Sequence, residues 1–215
     1  MKDPFTGSVL RIVLVRHGET EWNRAQRFQG QCDEDLNEKG RAQAEALALT
    51  LKEEPLQAIY SSPISRAIET AKAINSHHRV PIQQRDGLME MDLGDFDGLL
   101  RQDFMDHQPG FLKKWVEDPA SVRMPNGESL AEVQARAWLV VEEIVNTFPE
   151  GSILICGHNF VNMMILCKIL GMDITHFRRL RQSLGALNII ERSRGLFLLD
   201  RFNDTCHLED MDPPY

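Results

Sequence analysis

The sequence predicts an α/β sandwich built on a mostly parallel sheet, and three observations predict it. Short, β-branched apolar runs alternate with segments of helical period, the pattern of strands joined by helical crossovers. Two late runs, 186–191 and 196–203, follow each other directly around Ser193-Arg194-Gly195 and read as an antiparallel pair. The chain has 215 residues, which at about 150 per domain is roughly 1.4, so one domain with decoration is expected.

The first strand is Leu10-Arg11-Ile12-Val13-Leu14-Val15, stopping at Arg16-His17-Gly18-Glu19-Thr20, where Gly18 permits a tight turn. A polar segment runs to about Asn37. Asn37 with Gly40 introduces an alanine-rich helix, about Glu38 to Lys52, whose Ala44, Leu47, Ala48 and Leu51 recur at helical spacing before Pro55 ends it. A second strand, Ala58-Ile59-Tyr60, runs into Ser61-Ser62-Pro63, and Pro63 opens a helix reaching about Asn75. His77-His78 reads as the exposed end of that helix. Val80-Pro81-Ile82 is a third extended piece, followed by a loop-rich stretch over 85–100. Helices broken by Pro109, Pro119 and Pro125 fill 99–148, the longest from about Ser129 to Phe148. Ser152-Ile153-Leu154-Ile155-Cys156 is the fourth strand, stopping at Gly157-His158-Asn159 before an apolar helix that ends at Gly171. The segment 95–130 is the one expected insertion, placed like a lid over the sheet edge.

Composition narrows the partners. Lys and Arg total 24 against 32 Asp and Glu, a formal net charge of −8, and such a surface repels nucleic acid and anionic lipid. Any anion handled here must meet a local basic cluster. Cys32, Cys156, Cys167 and Cys206 show no CxxC spacing and read as reduced thiols of a cytoplasmic protein. Met1-Lys2-Asp3-Pro4-Phe5 lacks the apolar core of a signal peptide, and the most apolar stretch, Phe160 to Met172, is too short to span a bilayer. A soluble, cytoplasmic protein is the expectation.

Three segments far apart in sequence share one pattern: an apolar strand ends and reactive side chains appear at once. They are Arg16-His17-Gly18, Ser61-Ser62-Pro63 with Arg66 on the next helical turn, and Gly157-His158. In an open α/β sheet, ligands bind beyond the carboxyl ends of the strands. If these strands are parallel neighbours, Arg16, His17, Arg66 and His158 converge. Two arginines bring about ten N–H donors in planar forks, and helix N-termini add free N–H groups, which together make a phosphate pocket.

Arg16-His17-Gly18-Glu19-Thr20 with Trp22-Asn23 resembles the signature of the histidine phosphatase (phosphoglycerate mutase-like) superfamily. So do Phe28-Gln29-Gly30, Ser61-Ser62-Pro63 with Arg66-Ala67 and Thr70-Ala71, and Gly157-His158. Asn203-Asp204-Thr205-Cys206-His207-Leu208 is similar to the small-phosphatase branch. The resemblance implies a three-layer α/β/α sandwich of phosphoglycerate mutase type and a metal-independent, cofactor-free phosphomonoesterase acting on a small phosphorylated metabolite. It makes His17 the nucleophile, carrying a phosphohistidine, with Arg16, Arg66 and His158 holding the phosphoryl oxygens and His158 either cationic or a neutral donor. Asn23, Gln29, Gly30 and the backbone of Asn159 are further substrate contacts, with Asp33 adding to specificity and Phe111 and Trp115 either adding to it or forming lid core.

A leaving alkoxide needs an acid opposite the nucleophile. The residues themselves do not choose among Glu90, Asp92, Asp95 and Asp97; the resemblance points to Glu90 and makes Asp97, where Glu is commoner, structural. Met91-Asp92-Leu93-Gly94-Asp95 replaces the basic stretch that would hold a second phosphate in the mutase branch, which favours hydrolysis. A cofactor-dependent phosphoglycerate mutase and a non-catalytic phospho-ligand binding module are the alternatives, no metal-ligand cluster is present, and family habit implies a homodimer.

Overall fold

The computed structural model describes residues 7–209 and 211 of the chain. In β1 (Leu10–Arg16), Leu10, Ile12 and Leu14 face one side of the sheet and Val13 and Val15 the other, and all five are buried. Apolar residues on both faces mark a strand covered on both sides, as parallel sheets require. β4 (Gly151–Gly157) repeats this, with Ile153 and Ile155 against Leu154 and Cys156, and β2 (Leu56–Ser61) does so with Ala58 and Tyr60 against Leu56 and Ile59.

Two helical layers supply the cover. α2 (Glu38–Leu51) and α3 (Ser65–Asn75) pack Leu47, Ala48, Leu51, Ala67, Ala71 and Ile74 against one face. α6 (Leu130–Thr147) and α7 (Asn159–Ile169) cover the other through Leu130, Val133, Ala137, Val141 and Val161. Burying each such Leu, Val or Ile contributes about 1.5–3 kcal/mol. With β3 (Ile82–Gln84), β5 (Leu187–Ser193) and β6 (Leu196–Asp204), the strand order is β3-β2-β4-β1-β5-β6. The first four are parallel, and β5 and β6 turn back antiparallel at the edge.

Several boundaries follow from capping. Asn37 Oδ1 accepts from Gly40 N at 2.8 Å and starts α2, while Ser129 and Glu132 form a capping box on α6. The helix expected to open at Pro63 begins at Ser65: Ser62 Oγ takes the Ile64 amide and Asp33 Oδ1 takes that of Ser65. The third strand lies at 82–84 rather than 80–82, because Pro81 has no amide and contributes only its carbonyl, to Ile59 N. His77 is exposed after α3, but His78 is half-buried, against expectation.

The polar segment after β1 contains an unforeseen short helix, α1 (Glu21–Arg24), capped by Thr20 and Asn23. Within 95–130 lie α4 (Arg101–His107) and α5 (Pro109–Glu117), whose Phe104 and Phe111 stack edge-to-face on Phe96. The four cysteines are free. No helix among the described residues is long and apolar enough to cross a membrane. The expectation about Met1–Phe5 lies outside the described residues.

Candidate active site

The sheet order brings the three strand ends together. Arg16 stands opposite Gly157 across β1 and β4, and Ser61 opposite Cys156 across β2 and β4, so β2, β4 and β1 finish at one edge. His17, Arg66, Glu90 and His158 are buried there, each no more than 3% exposed.

The His17 ring is fixed by its own turn. Nδ1 lies 2.7 Å from Gly18 O, so Nδ1–H donates to that carbonyl and Nε2 keeps its lone pair. Gly18 allows this turn because a Cβ there would overlap Gly40 O at the start of α2. The His158 ring lies 5.0 Å away, centroid to centroid, tilted by 59°. Burial, followed by the nearby Arg66 guanidinium, holds both histidines well below the usual imidazole range. Burial and two neighbouring guanidiniums thus oppose a proton on His158, which weighs against the cationic one of the two options above.

Arg66, on the first turn of α3, donates Nη1 to Cys32 O at 2.8 Å and Nη2 to Gly30 O at 2.7 Å. Those two residues are braced in turn by Asp97, which accepts from Gly30 N through Oδ1 and Cys32 N through Oδ2. Arg16 Nη1 donates to Gln182 O. Burial lowers the pKa of both arginines, that of Arg16 to about 10. Five buried side-chain nitrogens here have no partner among the described residues: Arg16 Nε, Arg66 Nε, both His158 ring nitrogens and Gln29 Nε2. Buried polar groups are normally paired, so a cluster of unpaired ones marks a place for an anion.

Among the four candidate acids, Glu90 differs from the others in its surroundings. Asp92 accepts from Gly94 N, Asp95 from Asn126 Nδ2, and Asp97 from the 30–32 loop, so each is committed to local structure. Glu90 alone is buried beside the arginines. Its Oε1 accepts the amides of Met91, Phe160 and Val161 at 2.9, 3.0 and 3.3 Å, while Oε2 shares only that of Phe160 at 3.1 Å. Oε2 is thus the oxygen with capacity for a proton. Burial raises the carboxyl pKa against the lowering effect of those amides and of Arg66 and Arg16.

The expected secondary contacts divide. Asn23 Oδ1 caps α1 by accepting from Thr20 N, and the residue lines the cleft above Arg16. Gln29 Oε1 accepts from Thr20 Oγ1, with Nε2 among the unpaired nitrogens. Asn159, first residue of α7, also lines the cleft, and its amide meets no acceptor among the described residues. Gly30 departs from expectation: its amide goes to Asp97 and its carbonyl to Arg66, so it positions Arg66 and has no group left for a phosphate. Asp33 likewise caps α3. Phe111 and Trp115 line the cleft and also pack on other aromatic rings, Phe111 on Phe96 and Trp115 on Phe160 of α7.

Sequence reasoning missed Arg136. From α6 it donates to the carbonyls of Gly87, Met89 and Glu90 and pairs with Glu128. No motif signals it, because a lone arginine on a helix reads as solvated. Among the described residues, no group of three or more His, Cys, Asp or Glu side chains is placed to hold a metal.

A parallel α/β sheet with imidazoles, guanidiniums and one buried carboxyl at its carboxyl edge defines a protein built for phosphoryl groups. The chain belongs to the histidine phosphatase superfamily, branch 1, whose family model matches residues 12–205. Phosphoserine phosphatase 1 of Hydrogenobacter thermophilus is 33% identical over 200 residues, covering 93% of this chain and 95% of that protein. The solved structure of YhfR from Bacillus stearothermophilus superposes with a TM-score of 0.89 at 31% identity, covering 93% of this chain and all of that one. A mycobacterial glucosyl-3-phosphoglycerate phosphatase gives 0.84 at 28% identity over 92% of this chain and all of its own. The fold is therefore the three-layer sandwich of that superfamily.

Proposed function

We propose that the protein hydrolyses a small phosphomonoester through a phosphohistidine on His17. Nε2 attacks phosphorus, the bond to the alcohol oxygen breaks, and Glu90 delivers its proton from Oε2 to the departing oxygen. The resulting carboxylate then takes a proton from water, whose oxygen attacks phosphorus; the P–N bond breaks and both groups return to their starting state. Arg16, Arg66 and neutral His158 hold the equatorial oxygens, where charge concentrates in the transition state. Asn23, Gln29 Nε2 and the Asn159 amide add donors. These cations and donors supply the positive field, and the reading includes no metal or cofactor.

The observation that carries this is the set of unpaired buried donors around a histidine whose Nε2 is free. The relatives named for phosphoserine and glucosyl-3-phosphoglycerate support a metabolite as substrate. The 95–130 segment is taken as a lid-like insertion in a single domain. The net charge of −8 supports a reading without nucleic-acid or anionic-membrane partners, and the four free cysteines support a cytoplasmic one. Whether it works as the expected homodimer is read by sedimentation. Quenching a reaction with labelled substrate in base should trap acid-labile, base-stable phosphate on His17, absent from His17→Ala. Label elsewhere, or none, overturns the mechanism. Excess chelator should leave the rate unchanged, and 3-phosphoglycerate should yield free phosphate without 2-phosphoglycerate.

A further inference from the structure

Above the buried centre opens a cleft of about 880 Å³ whose floor meets Arg16, Asn23 and Asn159. At about 30 Å³ per water-sized group it holds roughly thirty such groups, against about a dozen non-hydrogen atoms in a phosphorylated amino acid or glycerate. Its walls are aromatic: Phe28, Phe96, Phe104, Phe111, Trp115 and Phe160. They brace one another edge-to-face, Phe28 on Phe104 at 5.0 Å, Phe96 on Phe111 at 4.8 Å and Trp115 on Phe160 at 6.1 Å. Such a wall is preformed and offers few acceptors to hydroxyl groups. The carboxylate in the lining, Glu19, is already engaged by Asn37 at 2.9 Å and by Lys39 at 3.8 Å, which weakens it as a receiver for a substrate ammonium.

The charge at the mouth has the opposite sign. Arg27, Arg101 and Arg178 all line the cleft, and none has a carboxylate within ion-pair distance among the described residues. Arg178 is held in place, Nη2 on Trp115 O at 2.6 Å and its guanidinium over the Phe177 and Trp115 rings at 4.8 and 5.3 Å. In a chain of net charge −8 with carboxylates in excess, three uncompensated guanidiniums around one apolar cleft are equipment for an anion.

We infer that the substrate, within the phosphatase reading on which this rests, is the phosphomonoester of a bulky apolar or aromatic alcohol bearing a second acidic group. The phosphoryl group seats at His17, the hydrocarbon body lies along the Phe111–Trp115 wall, and the acidic end meets Arg178 and its neighbours.

The test uses alkyl phosphates of matched leaving-group acidity: propyl phosphate, 3-phenylpropyl phosphate and its para-carboxylate, beside phosphoserine, 3-phosphoglycerate and glucose 6-phosphate. kcat/KM should rise at least about ten-fold from propyl to phenylpropyl, and several-fold again with the carboxylate. Within Arg178→Gln the ratio of kcat/KM for the carboxylate to that for the phenylpropyl ester should fall to about one, through KM, whatever the lost Trp115 contact does to both esters. The inference falls if phosphoserine, phosphoglycerate or the sugar phosphate outruns the phenylpropyl ester, or if the carboxylate adds nothing. A flat profile with His17 still labelled overturns this inference alone. No turnover of any ester overturns the phosphatase reading with it.

Discussion

Arg136 and Glu128 form a two-pronged ion pair, Nε to Oε1 at 2.8 Å and Nη2 to Oε2 at 2.9 Å, that clamps the backbone on both sides of Glu90. Arg136 holds the carbonyls of Gly87, Met89 and Glu90, while Glu128 Oε2 takes the Asp92 amide at 2.9 Å. A planar fork with five donors can make all these bonds at once, and a lysine cannot. Arg136→Lys should lower kcat by up to about 10²-fold, the scale of a roughly 1 Å misplacement of a reacting group, with little change in KM. A fall in melting temperature with kcat intact would show that the clamp serves stability alone.

Glu90→Gln separates the two halves of the reaction. The variant cannot protonate a leaving alkoxide, so alkyl esters should lose about 10²–10⁴-fold in kcat. p-Nitrophenolate leaves without a proton, so its release on first turnover should persist as a burst, while steady turnover collapses at the water step. Loss of the burst together with the steady rate would mean that Glu90 does not act as the acid.

Asp97→Asn tests the brace beneath Arg66. One carboxylate oxygen becomes an NH₂ facing the Gly30 or Cys32 amide, donor against donor, at a cost of about 1–3 kcal/mol. The loop that carries Arg66's two acceptors then shifts. The expected result is a raised KM for phosphate esters with a lowered kcat, and inorganic phosphate should inhibit less strongly. Unchanged inhibition by phosphate would separate Asp97 from Arg66.

The buried histidines should make the fold acid-sensitive. Burial, then Arg66, holds the pKa of His17 and His158 far below the unfolded value of about 6.5. The unfolded chain takes up protons below pH 6.5 and the folded one does not, so this stability is present above 6.5 and lost as pH falls. The slope is about 1.4 kcal/mol per pH unit for each histidine. Glu90, with its pKa raised by burial, acts in the opposite sense, its contribution being lost as pH rises. Melting curves of the wild type and His158→Gln between pH 7.5 and 5 isolate one histidine: the variant should decline less steeply, and parallel curves would refute the assignment.

Legibility differed residue by residue. Arg16, His17 and His158 were readable because an apolar strand that stops at a reactive side chain is a local pattern. Arg66 followed from the Ser62-Pro63 turn and the helix behind it. Glu90 was one of four acids within eight residues of a loop without periodicity, and only the resemblance singled it out; burial distinguishes it in the fold. That Asp97 and Arg66 take both backbone groups of Gly30 follows from tertiary packing and is visible in no single stretch of sequence. Arg136 went unread for the same reason, since its acceptors lie about fifty residues away.

The sequence by itself determined the order and kind of the main elements, through short-range periodicity and capping, and the net charge that disfavours polyanions. It also determined which side chains stand at the strand ends. Tertiary structure decided that β2, β4 and β1 are neighbours, so that those ends become one site. Only there do burial and proximity act together, stripping water from His17, Arg66 and Glu90, lowering the pKa of the imidazole and the guanidinium and raising that of the carboxyl. The aromatic cleft and its unpaired arginines are likewise decided by how the 95–130 segment folds back over the sheet edge, since pairing across distance follows packing and is written in no local pattern.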